Sequence, residues 1–364
     1  MRPILHVIGD LVELSGTERT LLRLVDAMPR SPTMIISLGR IADECRQMLP
    51  SEAVLVELRA RSLIRLPSAA LRLARVVRRQ RPAVVMAWMY HANLLATLAV
   101  LMARYGGPLV WNVRHAWEPG AVESGNTRLS RRLGALLSGR PNRIVFNSER
   151  AALQHLARGF RSRRAVVIQN GVPLPAADPP PASDSARVGI ASRVHPHKDH
   201  PTLLTALRAV ARRRPDVEIL ICGRGATVDN PELAAAQAEI GADRFRLLGQ
   251  LSDMDGFYRS IDVLALSSMT EALPNVLLEA MSHGVPCVTT DVGDAARVVE
   301  GTGLVVPVRD PNALAEGIIR LLSEAVPERA RRRREARGRI ARDFTVERMV
   351  SAYAALLDES PGAP

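Results

Sequence analysis

The feature that most constrains this chain is a rhythm. Apolar, β-prone runs of three to six residues recur along it, separated by amphipathic stretches at helical spacing. Strands buried on both faces read as continuous apolar runs, and strands joined through helices run parallel. The first series is Ile4–Ile8, Thr33–Leu38, Ala53–Leu58, Ala83–Trp88, Leu109–Val113, Arg143–Asn147 and Ala165–Ile168, with helical patterns such as Thr17–Met28 and Pro67–Arg79 between them. The second is Arg187–Ala191, Val217–Cys222, Phe245–Leu248, Val263–Leu266, Cys287–Thr290 and Leu304–Val306, with helices at Pro201–Arg213, Pro231–Ile240, Asn275–His283 and Pro311–Leu322.

Between the series runs Pro173-Leu174-Pro175-Ala176-Ala177-Asp178-Pro179-Pro180-Pro181. Proline fixes φ and removes donors, so this stretch is stiff and extended, as an interdomain hinge requires. With 364 residues, the chain exceeds one ordinary core. The expected fold class is therefore α/β, with two Rossmann-like lobes facing a central cleft: residues 1–172, a linker at 173–186, and residues 187–326. Residues 327–364 begin with eight arginines in Arg329–Arg342 and continue with Val346, Met349, Val350 and Tyr353 at helical spacing. They are expected to form C-terminal helices able to cross back to the first lobe.

Charge is divided unevenly. Residues 1–172 carry 26 Arg against 11 acids, whereas residues 173–364 carry 22 Arg and one Lys against 26 acids. The positive field therefore belongs to the first half, which can attract nucleic acid, an anionic membrane or an acidic substrate. Only 12 residues are aromatic, too few for base-stacking platforms, which disfavours nucleic acid. The longest apolar run, Leu94–Ala103, is ten residues. A span needs about 20, so a buried helix is expected there. The start, Met1-Arg2-Pro3 before Ile4–Ile8, lacks a signal-peptide layout. Cys45, Cys222 and Cys287 are far apart and odd in number, which fits a reducing cytoplasm and no disulfide framework.

Four segments carry chemistry. Ser267–Met281 leaves a strand, turns, and opens a helix near Pro274–Asn275, so backbone N–H groups and a positive helix end face outward as an anion site. Glu271 in its loop and Glu279 one turn into the helix would repel a phosphate but accept hydrogen bonds from sugar or ribose hydroxyls. Gly189–His200 leaves another strand and places Arg193 and Lys198 five apart; Lys198 is the sole lysine beside 48 arginines. A compact ammonium suits an oxygen gaining charge as a phosphate departs. His195, His197 and His200 lack the spacing of a closed metal site and are expected to be polar loop residues. Gly16 opens a helix after the first strand, where backbone can approach a ligand, although the glycine spacing does not match a dinucleotide fingerprint. Finally, Trp88–Asn93 and Trp111–Trp117 sit at carboxyl ends of strands, where parallel sheets bind ligands. Trp88, His91, Arg114 and His115 there are candidate sugar or acceptor contacts.

In sum these residues resemble the retaining family 4 glycosyltransferases of GT-B fold, along nearly the whole chain. Glu271 and Glu279 fit that family's Glu-x7-Glu motif, followed by Gly284-Val285-Pro286. Arg193 and Lys198 fit its paired basic residues, and Asn170-Gly171-Val172 its Asn-Gly-Val before the linker. Ile221–Gly225 with Leu247-Leu248-Gly249 resembles the region that holds the nucleotide base. Trp88–Ala92, Asn112–His115 and Cys222–Gly225 look like a bacterial polysaccharide-assembly subgroup. Ser15, Ala272-Leu273 and Asp199 depart from the family, replacing a glycine, Gly-Phe and a glycine; alanine at 272 is strained if that position needs positive φ.

The resemblance implies a metal-independent, retaining transfer from a nucleotide sugar, most simply a UDP-sugar, to a saccharide or lipid-linked acceptor, with no cofactor and no nucleic-acid partner. It implies donor contacts from Gly16, Arg193, Lys198, Gly223, Gly225, Leu248, Leu273, Pro274, Asn275, Val276 and Glu279. Glu271, Arg193, Lys198 and His115 are its catalytic candidates, with His91, Trp88 and Arg114 on the acceptor side. The basic first lobe would dock on the anionic inner leaflet through Arg72, Arg75 and Arg79, making a cytoplasmic protein peripheral to the membrane. Competing readings are transfer to a small natural product, a sugar-nucleotide epimerase or phosphorylase on the same fold, and a nucleotide-sugar-binding scaffold.

Overall fold

The computed structural model describes residues 2–12, 15–28, 32–59, 66–117, 125–179 and 186–358. Residues 13–14 of the first strand–helix turn, 180–185 of the proline-rich linker and the last six residues, 359–364, lie outside them. The chain divides into two compact units. One holds the chain as far as Ala116, residues 125–171 and the segment from Val346; the other holds Trp117 and Val172–Thr345.

The first unit is built on seven parallel strands: β1 Ile4–Ile8, β2 Thr33–Ser37, β3 Val54–Glu57, β4 Val84–Trp88, β5 Leu109–Val113, β6 Arg143–Phe146 and β7 Ala165–Val167. Their order is β3-β2-β1-β4-β5-β6-β7. β1, β4 and β5 are buried at every position, which is why their sequences are apolar without alternation. Its helices are α1 Gly16–Asp26, α2 Asp43–Gln47, α3 Leu66–Gln80, α4 Met89–Ala103, α5 Gly125–Leu137 and α6 Glu149–Leu156. Strand residues such as Leu5, Val7, Val85 and Ala87 form one core with α3 and α4, backed by α5. Ile4, Ile8, Met86 and Trp88 form another with α1 and α2.

The second unit has six parallel strands: β8 Arg187–Ala191, β9 Glu218–Cys222, β10 Phe245–Gly249, β11 Val263–Leu266, β12 Cys287–Thr290 and β13 Leu304–Val306, in the order β10-β9-β8-β11-β12-β13. The helices are α7 His200–Arg213, α8 Pro231–Ile240, α9 Met254–Ser260, α10 Asn275–Ser282, α11 Ala295–Val299, α12 Pro311–Leu322 and α13 Val326–Asp343. The arginine-rich α13 stays here because its inner face is apolar apart from one paired arginine: Ala336 and Ile340 are buried in the core with α10, and buried Arg333 reaches Asp262 at 3.5 Å. Burial lowers the Arg333 pKa against the pull of that carboxylate.

The last helix, α14 Val346–Asp358, belongs to the first unit. Met349, Tyr353 and Leu356, spaced four and three apart, are buried in the core that α1 also lines. Each contributes about 1.5–3 kcal/mol by leaving water. Both sheets thus have Rossmann-like winding, and the order reverses between β1 and β4 in one and between β8 and β11 in the other. Ligands of such sheets sit beyond the carboxyl ends at these switch points.

One expectation is corrected. The apolar run Leu94–Ala103 was expected to be buried all round, but Leu98, Leu101 and Met102 are 48%, 48% and 45% exposed. The inward side of α4 is filled by Leu95, Ala96, Ala99 and Val100, and no described residue covers the outer one.

Candidate active site

At the switch point of the second sheet the chain leaves β8 through residues 192–199 and β11 through residues 267–274. The first loop turns through a short 3-10 turn, Pro196–Lys198, opened by His195, whose Nδ1 accepts the His197 amide at 3.2 Å. Burial, then the charge of Arg193, lowers the His195 pKa. His195 and His197 stack edge to face at 4.7 Å. Asp199 follows at φ 48°, the left-handed region, and its carboxylate accepts the Thr202 amide at 3.4 Å to start α7. The departure from glycine at this position thus places a strained backbone where glycine would rest freely, offset by a helix cap. Among the described residues no group of three His, Cys, Asp or Glu is placed to hold a metal ion.

The two loops are tied together. Ser267 Oγ donates to the Lys198 carbonyl at 2.7 Å, and the Met269 amide donates to the His197 carbonyl at 2.8 Å. Lys198 Nζ lies 2.5 Å from Glu271 Oε1, which also accepts from Ser268 Oγ at 2.9 Å. The side chains of Lys198 and Glu271 are 20% and 18% exposed. An ammonium carries three donors, and Glu271 engages one. Arg193 is exposed on the same loop.

The helix α10 opens at Asn275 with Pro274 at its N-cap and no side chain capping it. Its first amides and positive end therefore serve whatever lies before it. Leu273 is buried, Asn275 and Val276 are half-buried. Glu279, one turn further, accepts from Tyr258 Oη on α9 at 3.1 Å. Ala272 does not have positive φ, so alanine there is unstrained. Gly293 after β12 does, at 49°, and a Cβ on it would stand 2.2 Å from the Ala272 carbonyl oxygen. That close approach holds the Glu271 loop from behind.

β9 and β10 supply the neighbouring wall. Gly223 has φ 131°, and a Cβ would stand 2.2 Å from the Ser192 carbonyl. The Val194 amide donates to the Arg224 carbonyl at 2.8 Å, and the Gly223 amide to the Gly249 carbonyl at 2.7 Å. Gly223, Gly225 and half-buried Leu248 thus adjoin the Arg193 loop. The second unit brings Arg193, Lys198, Glu271, Leu273–Val276, Glu279 and the β9–β10 residues to one end of one sheet. Sequence reasoning did not find Tyr258, Ser267, Ser268 or Gly293. Ser268 stood three residues before Glu271; the others carry no local signal.

In the first unit, Gly16 is exposed at the start of α1 behind Ser15, which does not cap the helix but donates to Glu18. His91 is exposed in the first turn of α4. His115 is half-buried just past β5, edge-on to Tyr90 at 6.1 Å. Two acceptor-side expectations are corrected. Trp88 is fully buried and donates its indole N–H to His6 Nδ1 at 3.2 Å, so it packs the core and walls no ligand. Arg114 is 9% exposed; it donates to Asn170 Oδ1 and, at 2.7 Å, to Tyr353 Oη, with its guanidinium 4.8 Å over Trp88. It is an internal clamp, with Tyr353 in turn donating to Asn112 Oδ1 at 2.6 Å.

Both sheets have the winding of the GT-B fold, and two family models that together span most of the chain show that it belongs to the family 4 glycosyltransferases. The model described as Glycosyltransferase Family 4 matches residues 14–175 and that of glycosyl transferases group 1 matches residues 185–324. Among relatives, the lipopolysaccharide core biosynthesis glycosyltransferase LpsE of Rhizobium meliloti is 28% identical over 95% of this chain and 96% of its own length. The D-inositol 3-phosphate glycosyltransferase of Salinispora tropica is 32% identical over 53% of this chain and 41% of that protein. The phosphatidyl-myo-inositol mannosyltransferase of Mycolicibacterium smegmatis is 34% identical over 48% of each. The chain thus spans about half or less of several of the relatives it matches. The fold is shared with Anabaena HepE, solved with UDP and glucose, at TM-score 0.83 and 20% identity over 99% of this chain and 100% of that one.

Proposed function

We propose that this protein transfers a sugar from a nucleotide sugar, a UDP-sugar in the simplest case, to a saccharide or lipid-linked acceptor in the assembly of a surface polysaccharide or glycolipid, with retention at the anomeric carbon. The observation that carries the reading is the Lys198–Glu271–Ser268 cluster beside the uncapped start of α10. Lys198, Arg193 and the first amides of α10 meet the diphosphate, whose charge grows as the glycosyl bond breaks. Glu271 accepts hydroxyls of the transferred sugar, and Glu279 those of the ribose. Leu248 and the Gly223–Gly225 turn flank the base. Preorganised donors of this kind are each worth ~3–4 kcal/mol in a transition state. Gly16, His115 and His91 are the first unit's candidate residues for the same reaction. The diphosphate oxygen freed by the donor is the base that takes the acceptor's hydroxyl proton.

Relatives that act on lipopolysaccharide core and on phosphatidyl-myo-inositol, and a neighbour solved with UDP, support this choice of donor and acceptor class. The test is a thermal-shift panel of nucleotide sugars followed by product analysis. A ligand at 100 times its Kd adds about 2.7 kcal/mol. The expected result is stabilisation by one UDP-sugar and acceptor-dependent release of UDP, reduced about 10²–10³-fold by Lys198→Met. UDP-sugar conversion without an acceptor would make the protein an epimerase. Transfer unchanged by both Lys198→Met and Glu271→Gln would remove this site from the reaction.

A further inference from the structure

Glu279 sits one turn into α10, half-buried, on a long side chain with many rotamers. A carboxylate that wanders among them must be ordered by each ligand it meets, and the ligand's affinity falls accordingly. The fold removes that freedom from behind. Tyr258, on α9, is 2% exposed, and its hydroxyl donates to Glu279 Oε2 at 3.1 Å. The phenol is itself fixed. Its ring lies in the core that holds Leu277, Leu278 and Met281 of α10, so the helix under Glu279 and the hydroxyl beside it belong to one packed body. Phe257 meets that ring edge to face at 5.5 Å, and the His283 ring lies tilted to it at 5.3 Å. His283 is set in turn by its Nδ1, which donates to the Glu279 carbonyl at 2.9 Å. The helix that carries the tyrosine is capped by Asp253, whose carboxylate accepts the Gly256 amide at 2.8 Å.

We propose that Tyr258 is a positioning residue of the donor site: by fixing Glu279 it makes the protein discriminate ribonucleotides from deoxyribonucleotides. This rests on the assignment of Glu279 to the ribose made above. A carboxylate offers two oxygens and about four lone-pair sites. The tyrosine proton engages one on Oε2 and sets the plane of the group, so a nucleotide's hydroxyls meet an acceptor already in place. The order is then established in folding and not in binding, which is what preorganisation means for affinity. Rigidity also makes a missing hydroxyl expensive. A mobile glutamate would turn to water when one ribose hydroxyl is absent and lose little. A pinned one is left facing the gap with an unmet acceptor, and a site built to bind a hydroxyl rejects the analogue lacking it for that reason. Tyr258 touches neither the ribose nor the reacting atoms in this scheme; it acts through Glu279.

The test is calorimetric titration of the full chain with UDP, 2′-deoxy-UDP and 3′-deoxy-UDP, on the parent, Tyr258→Phe and Glu279→Gln. The parent should prefer UDP to at least one deoxy analogue by about tenfold or more. Tyr258→Phe should narrow that preference by about three- to tenfold, while the analogue itself binds within about twofold of its parent affinity. A tyrosine that only packed the core would lower all three affinities in step, or none. The readout is a ratio of affinities, so it does not depend on how much of the variant folds. Glu279→Gln keeps the two claims apart. Preference lost in Glu279→Gln but intact in Tyr258→Phe would overturn the tyrosine's role and leave the ribose assignment standing. Preference intact in Glu279→Gln, or a parent that binds no UDP or shows no preference, would remove the ribose assignment and this inference with it.

Discussion

Replacing Tyr353 with phenylalanine removes one oxygen from the first unit and leaves the ring in place. That oxygen is fully buried, accepts from the Arg114 guanidinium at 2.7 Å and donates to Asn112 Oδ1 at 2.6 Å. Losing a hydrogen bond to a charged group costs about 1.5–3 kcal/mol, and stranding a buried acceptor about 1–3 kcal/mol. Arg114 keeps Asn170 and the Trp88 face, so part of its loss is recovered. The expected destabilisation is about 3 kcal/mol, or roughly 6–12 °C for a unit of this size. Tryptophan fluorescence suits the measurement, because Trp88 and Trp111 are buried in the first unit and the Trp88 ring lies 6.4 Å from that of Tyr353. A change below about 1 kcal/mol would show that the Asn112–Tyr353–Arg114 chain carries no net energy and would refute the clamp.

Acid should loosen the same unit. Burial holds His6 down to about 3 and His155 down to about 4, against an ordinary 6.5. The unfolded chain therefore binds protons below pH 6.5 that the folded one refuses, and stability present above that pH falls as pH drops, by about 2 kcal/mol per histidine at pH 5. Equal denaturation midpoints at pH 7 and pH 5 would contradict this. Asp199→Ala should cost about 1–2 kcal/mol by removing the α7 cap while keeping φ positive, whereas Asp199→Gly should stay within about 0.5 kcal/mol of the parent in urea titrations. Gly293→Ala should displace the Glu271 loop and lower sugar transfer by at least about tenfold. Unaltered turnover would mean that the close approach to Ala272 does not position the site.

The strand series could be read before the coordinates because parallel strands buried on both faces leave uninterrupted apolar runs. β1, β5, β8, β11, β12 and β13 have the bounds expected of them, β3 is one residue shorter at each end, and the others differ by one residue at one end. The Glu271–Glu279 segment was legible because a strand, a turn and a proline-opened helix are all local signals. Arg114 and Trp88 were misjudged for the opposite reason. Being at a strand's carboxyl end says nothing about which face a side chain takes, and the partner that draws Arg114 inward is 239 residues away. Tyr258 was missed likewise: its hydroxyl meets Glu279 across 21 residues, with no periodicity to announce it. The outer side of α4 was illegible because an apolar run does not record what lies above it. Of the positions that depart from the family's glycines, Asp199 has positive φ, where the chain passes from Lys198 into α7, and Ala272 does not.

The crossing of α14 into the first unit also orders events during synthesis. Val172–Thr345 is one uninterrupted stretch apart from Trp117, and its first and last residues pair as a β-bridge, with the Val172 amide on the Phe344 carbonyl at 2.9 Å. Once Thr345 clears the ribosome, that unit has nearly everything it needs to close. The earlier half must wait with the places of Met349, Tyr353 and Leu356 empty until those residues, more than 170 positions after Gly171, have been made. The unit made second is the one that can mature first, and a nascent chain stalled between Thr345 and Met349 would hold an open, arginine-rich half that chaperones should capture.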